Sequence, residues 1–349
     1  MNSDLRQFDD LRIVSNPNLD ENLFTLIAIL RNEMYFLPAF LRHYRKLGVQ
    51  RFVFLDDRSD DGSREFLLEQ SDVMLLESEY RYGDQVDLPD AIDRKLILPR
   101  ILYVWRALLQ EKFAVDRWAV QVDLDEFLHL PENTRFQDLL PELDRENATA
   151  VWSVMLDMYP ANLSDLVTSR SQPRIDLDAD WYFDGEEHLQ LRTSSTPKMV
   201  YPGARARLYQ KFGVYRHYHE YGLGPKRNFF SRMKKTRFGN RILEYNQLQK
   251  PVLSKWRRGG LYFSSHKMSM SASDRFLLPM QHFRFTGSLY GRLERALKEN
   301  SYSGGSRDYI FMAMLMENMQ RRGGSFLYRK SNKFENFRNL TQTLNAKGF

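Results

Sequence analysis

Two aspartates one residue apart, Asp123 and Asp125, close an apolar run that begins at Val120, and Glu126 and Phe127 follow them. In an extended strand, side chains two positions apart project to the same face. Like carboxylates held that close repel unless a cation sits between them. Oxygen ligands suit a hard divalent ion, Mg2+ or Mn2+, which keeps waters and shares its shell with substrate phosphates. The chemistry expected is that of a nucleotide diphosphate. An Asp-x-Asp tripeptide is also a common acidic loop after a strand, so its company has to decide.

That company is a set of elements able to present polar residues at equivalent positions. Leu23 to Leu30 reads as a buried strand, followed by the polar turn Arg31-Asn32-Glu33. Residues Leu37 to Leu47 have helical apolar spacing and end at Gly48. A second strand, Arg51 to Leu55, runs into Asp56-Asp57, and a helix from Arg64 to Gln70 precedes a third strand, Val73 to Glu77. Beyond Pro89 the pattern predicts a helix over Arg94 to Glu111, a strand Trp118 to Asp123, a helix Phe136 to Arg145 and a strand Ala150 to Leu156 ending in Asp157. Alternating strands and helices predict an α/β fold with a mostly parallel sheet, whose ligands lie beyond the carboxyl ends of the strands. Arg31 to Glu33, Asp56-Asp57 and Asp123 to Glu126 all fall at such ends.

The 349 residues suffice for one large or two small domains, with no repeat and no low-complexity tract. The longest apolar stretch is too short to span a bilayer, and the acidic, polar start lacks the pattern of a signal peptide, so a cytoplasmic location is expected. With no cysteine, disulfides, thiolate metal sites and cysteine nucleophiles are excluded. The net charge of +6 hides a division. Residues 1–200 carry 22 Lys+Arg against 37 Asp+Glu, and residues 201–349 carry 29 against 8. A basic second half either meets an anionic partner or complements the acidic first half.

The stretch "LIAILRNEMYFLPAFLRHYRKLGVQRFVFLDDRSDDGS", followed by "WAVQVDLDEFLHLP", resembles the bacterial glycosyltransferase family 2 branch near the family 92-like enzymes. "MLDMYP" at 155–160, "PGARARLY" at 202–209, "LQKPVLSKW" at 248–256 and "YFSSH" at 262–266 extend the resemblance from about residue 22 to about residue 310. It implies a GT-A-type fold, a nucleotide-sugar donor with UDP favoured, Mn2+ or Mg2+, and transfer with inversion to a glycan or lipid-linked acceptor in surface polysaccharide or glycoconjugate assembly. The domains expected are an N-terminal extension (1–20), a GT-A-type domain (21–290; nucleotide-binding half about 21–130, acceptor half about 131–290) and a basic helical C-terminal region (291–349).

Sugar transfer needs charge on the leaving diphosphate stabilised. Asp125 is the first choice for metal coordination, with Asp123 bonding ribose or the metal through water and Glu126 orienting them or facing the core. Late histidines supply a third ligand in such chains, and His266 and His282 are the candidates. Asp56 and Asp57, beside Arg31 and Glu33, can accept from a base N–H or ribose hydroxyls, whereas Asp60, Asp61 and Ser63 cap the next helix. A general base is sought among Asp157, Asp184, Glu186, Glu187 and Glu220, with Asp157 first because its strand is expected beside the metal strand. Lys198, Arg205, Arg207 and Lys250 are candidates for the diphosphate or an anionic acceptor.

From Arg292 onward helical spacing recurs, and its methionines read as core. Basic and aromatic residues alternate over Arg321 to Arg338, which could rest on an anionic membrane at its inner face. Three other classes compete with a transferase of sugars. A non-catalytic nucleotide-sugar or carbohydrate binder would share the fold, a nucleotidyl or phosphoryl transferase would share the acids, and a nucleic-acid binder would share the basic half. No Walker-type Gly-rich loop and no RNA-recognition or helix-turn-helix motif is present, so no nucleic-acid partner is expected.

Overall fold

The run Thr25–Leu30 (β2) is apolar on both faces because both are covered, and five of its six residues are buried. It lies inside a nine-stranded sheet of order β1-β4-β3-β2-β5-β8-β7-β9-β6. The other strands are β1 (Arg12–Ile13), β3 (Arg51–Asp56), β4 (Val73–Glu77), β5 (Trp118–Gln121), β6 (Glu126–Leu128), β7 (Ala150–Asp157), β8 (Gln249–Lys255) and β9 (Ala272–His282). The computed structural model describes residues 3–88, 99–185, 189–192, 199–221, 248–299 and 303–341.

β4, β3, β2 and β5 are mutually parallel. β8 opposes both β5 and β7, and β9 returns parallel to β7. Six strands therefore share one direction, while β1, β8 and β6 oppose it. The mostly parallel α/β sheet flanked by helices agrees with the expectation and is consistent with a Rossmann-like glycosyltransferase fold.

The helix α1 (Leu37–Lys46) carries Pro38 in its first turn, where the missing N–H costs nothing, and buries Leu37, Phe40, Leu41 and Tyr44. Gly48 (φ 98°) ends it in a left-handed conformation that residues with a Cβ rarely adopt. The α-helix expected over 94–111 is Ile101–Phe113 (α2); residues 89–98 lie outside the described residues.

One expectation fails at the point of interest. The strand predicted to end at Asp123 stops at Gln121, and residues 122–125 form the link to β6. Asp123 N–H and the Glu126 carboxylate close that link at 2.8 Å. A backbone that turns no longer alternates its side chains, so Asp123 and Asp125 need not face the same way.

A second apolar cluster lies beyond β7. It joins Tyr159, Leu208 of the helix Gly203–Lys211, Phe285, Leu293 of the helix Leu289–Glu299, and Met312, Leu315, Met316 and Met319 of the helix Ser303–Arg321. The methionines are core, as their spacing indicates. Phe326, from the segment read as membrane-facing, is fully buried against Phe285 and Tyr159. Leu5 and Phe8 near the N-terminus belong to the main sheet core.

Candidate metal and nucleotide site

Strand direction gathers the polar residues at one edge of the sheet. β2, β3, β5, β7 and β9 end there with Arg31 to Glu33, Asp56-Asp57, Asp123, Asp157 and His282, and antiparallel β8 and β6 begin there with Lys250 and Glu126. In register, His282 is the Cα partner of Asp157 on one side and of Glu126 on the other. Residues 125 positions apart in sequence thus become neighbours through strand pairing alone.

A cleft of about 290 Å³ opens at this edge, lined by Arg31, Glu33, Asp123, Asp125, Glu126, Arg205, Lys250, His266, His282, Arg284, Arg292, Asp308 and Tyr309 among others. Its carboxylates are held by cations. Asp123 accepts from Arg106 Nη2 and Lys250 Nζ, both at 2.6 Å. The same ammonium reaches both oxygens of Glu126 at 2.7–2.8 Å. Asp125 Oδ2 accepts from Arg292 Nη1 at 2.6 Å, and Asp157 Oδ2 from Arg205 Nε at 2.8 Å. Leaving buried Asp125, Glu126 or Asp157 without its cation would cost several kcal/mol (~3–5).

The electrostatics follow from that arrangement. Burial pushes the Asp123 carboxyl up, but Arg106 and Lys250 overcome it and hold the group well below the usual range, although 43% of the side chain remains open to solvent. Asp125 is held low against burial by Arg292, His282 and Arg284, and Asp157 by Arg205 and His282. Glu126 goes the other way, because burial and the Asp123 charge outweigh the pull of Lys250. Burial also pushes Glu33 up to about 8, with Arg292 opposing and Asp125 reinforcing.

A divalent ion is what the resemblance implies, and the residues fit one. Asp157 Oδ1 lies 2.6 Å from His282 Nδ1, which assigns the imidazole proton to Nδ1 and leaves the Nε2 lone pair facing the cleft. Nε2 is 3.7 Å from Asp125 Oδ2, and Asp125, Glu126 and His282 offer ligand atoms within 4.8 Å of one another. Oxygen and imidazole donors suit Mn2+ or Mg2+. Asp123 stands outside this group, turned to Arg106 and Lys250 by the link described above, and Glu126 takes its place. The ligand atoms that lie together are thus those of Asp125, Glu126 and His282 rather than of the Asp123 and Asp125 pair expected from spacing, and both Glu126 oxygens are shared with Lys250.

No family model matches the chain. A segment is 29% identical over 121 residues to a glycosyltransferase family 92 protein of Oryza sativa subsp. japonica, covering 32% of this chain and 17% of that protein. The match carries the family 92 name and says nothing for family 2 or for a bacterial source.

The remaining candidates divide by position. His266 lines the cleft but directs Nδ1 at the Gln249 carbonyl, 2.7 Å away, and burial brings its pKa down to about 4. Arg31 lines the cleft while paired with Glu299. Asp56 accepts the Ser59 N–H and pairs with Arg64, its side chain fully buried, and Asp57 pairs with Arg81 and accepts the Tyr82 N–H. Neither lines the cleft, and both are engaged within their own loop, away from the base or ribose contact expected of them. The helix Ser63–Leu68 has Gly62 at its N-cap and no side-chain cap bond, so the expected capping does not form; Asp61 accepts the Ser63 N–H in the turn before it, and Asp60 bonds Asn32.

Asp157, first choice as the base, has both oxygens engaged and is 4% exposed, so it cannot approach an acceptor hydroxyl. Asp184 is locked by Arg207 and the Tyr159 hydroxyl, which also fixes Arg207 in the interior rather than at the cleft. Glu220 is on the surface beside His217, away from the cleft. Glu186, Glu187 and Lys198 lie outside the described residues.

Arg106, Arg284, Arg292, Asp308 and Tyr309 were missed from sequence. Arg284 had a signal, since it stands two residues beyond His282 in an otherwise apolar run. Arg292 had another, a charge on the buried side of a helix between Leu289 and Leu293.

Proposed function

We propose that this chain is a metal-dependent inverting glycosyltransferase that moves a sugar from a nucleotide-diphosphate donor, UDP-linked for preference, to a glycan or lipid-linked acceptor. The observation that carries the reading is the Asp157–His282–Asp125 alignment at the carboxyl edge of the sheet, in a cleft walled by arginines and a lysine. The similarity to a family 92 glycosyltransferase supports sugar transfer in general.

Mn2+ or Mg2+ held by Asp125, His282 and Glu126 would supply a Lewis acid for the charge on the leaving diphosphate. Each protein group has a task of its own. Asp157 orients the His282 ring and keeps its proton on Nδ1. Lys250 stops Asp123 and Glu126 from repelling each other and fixes the turn that carries Asp125. Arg106, buried on α2, aims Asp123 at the cleft, where its exposed edge can accept a donor hydroxyl.

An inverting reaction needs a base on the acceptor side. Among the described cleft acids, Glu33 and Asp308 form no ion pair, so their side chains are not tied to a cation as Asp157 is. The base of this mechanism is placed with that pair rather than with Asp157.

Among the described residues no helix is long and apolar enough to cross a membrane. A cytoplasmic enzyme resting at the inner membrane face, working in surface polysaccharide or glycoconjugate assembly, completes the proposal. The test is release of nucleoside diphosphate from a panel of UDP-, GDP- and dTDP-sugars with Mn2+. Turnover by the wild type and its loss in Asp125→Ala support the reading; binding without turnover identifies a non-catalytic sugar-nucleotide binder, and release of pyrophosphate a nucleotidyl transferase.

A further inference from the structure

The cations of the cleft are not equivalent. Lys250, Arg106, Arg205 and Arg292 each hold a carboxylate at 2.6–2.8 Å, and Arg31 holds Glu299. Arg284 lines the same cleft and has no carboxylate within 4 Å among the described residues. Its Nε is buried without a hydrogen-bond partner, and its guanidinium lies over the Tyr309 ring, 4.8 Å from the centroid.

A guanidinium is always charged, and burying its donors without an acceptor is costly. Stacking on an aromatic face steadies the plane and offsets part of that cost, but it satisfies no N–H. What remains is a planar guanidinium preorganised on a ring, its Nε buried and the residue lining the cleft wall. That is the geometry for bidentate recognition of a phosphate. The Tyr309 ring comes from the helix Ser303–Arg321 and Arg284 from just beyond β9, so the C-terminal helices complete this wall.

We propose that Arg284, stacked on Tyr309, is a phosphate subsite of the cleft, distinct from the Asp125–His282 pair. This deepens the reading above and rests on it. Two ligands could bring the phosphate: the diphosphate of the donor, or a phosphorylated acceptor.

Affinity for UDP and for uridine, measured by calorimetry on the full chain with Mn2+, separates them. If the donor supplies the phosphate, the wild type favours UDP, and Arg284→Gln lowers UDP affinity about 10- to 100-fold while uridine binding is unchanged. If the acceptor supplies it, UDP binding survives the substitution, but inorganic phosphate or glycerol phosphate added to the UDP-saturated protein binds the wild type and not the variant. Arg284→Lys, which keeps the charge and loses the planar fork, is expected between the two and stands in if the glutamine variant does not fold. A folded Arg284→Gln that binds UDP and the added phosphates as the wild type does overturns the subsite, as does a wild type that binds none of these phosphates. Turnover of a sugar nucleotide by the wild type and the variant alike would leave the glycosyltransferase reading standing while sinking this one.

Discussion

His282 Nδ1 lies 2.6 Å from Asp157 Oδ1, and the sheet register alone makes the two residues partners on adjacent strands. The pair sets which imidazole nitrogen faces the cleft. Asp157→Asn keeps the shape and removes the charge that holds the proton on Nδ1. Mn2+ affinity, measured on the folded variant, is expected to fall about 10- to 100-fold. Unchanged affinity would show that Asp157 serves only to bury Arg205.

Lys250 is the only group that touches both Asp123 and Glu126 among the described residues. Lys250→Met leaves two acids facing each other with Arg106 alone to compensate, and urea unfolding should show a loss of about 3–5 kcal/mol. Added Mn2+ should raise the thermal midpoint of this variant more than that of the wild type. An equal rise in both would argue that the ion does not relieve that repulsion.

Two half-buried histidines make the fold acid-sensitive. Burial, followed by the neighbouring His129, brings the His43 pKa down to about 3, and burial brings His129 down to about 4. Both are neutral in the folded chain and charge near pH 6.5 when unfolded. Their contribution is complete above about pH 6.5 and is lost as pH falls toward 4 and 3, since the unfolded chain binds more protons in that window. Each histidine contributes a slope of up to about 1.4 kcal/mol per pH unit. His43→Asn should flatten the dependence of unfolding free energy on pH between 4 and 6.5; an unaltered slope would contradict the assignment.

Glu33 acts in the opposite direction. With its pKa pushed by burial up to about 8, the folded chain binds a proton that the unfolded chain has released between about pH 4.5 and 8. Stability from this group therefore declines as pH rises through that window. Glu33→Gln should gain on the wild type in unfolding free energy as pH rises from 5 to 9. A constant difference across that range would mean that Glu33 is ionised throughout.

The sheet was legible because its strands are apolar runs bounded by polar turns, and those turns sit where parallel strands end. His282 was legible for the same reason, as a polar group closing an apolar run. The orientation of Asp123 was not, because alternation holds only while the backbone stays extended, and β5 stops two residues earlier. Arg106, Arg284 and Arg292 were hidden by their type, since a long basic side chain on a helix is usually solvated. Only the fold shows which of them bend inward to meet an acid and which, like Arg284, meet none among the described residues.

The central claim is that Asp125 and His282 hold a divalent ion against a nucleoside diphosphate. Pulsed EPR on the protein with one equivalent of Mn2+ and UDP reads both contacts at once. A nitrogen-14 coupling that disappears in His282→Gln, together with a phosphorus-31 coupling from UDP, is the expected result. A spectrum of fully hydrated Mn2+, identical in the wild type and in Asp125→Ala, would contradict it.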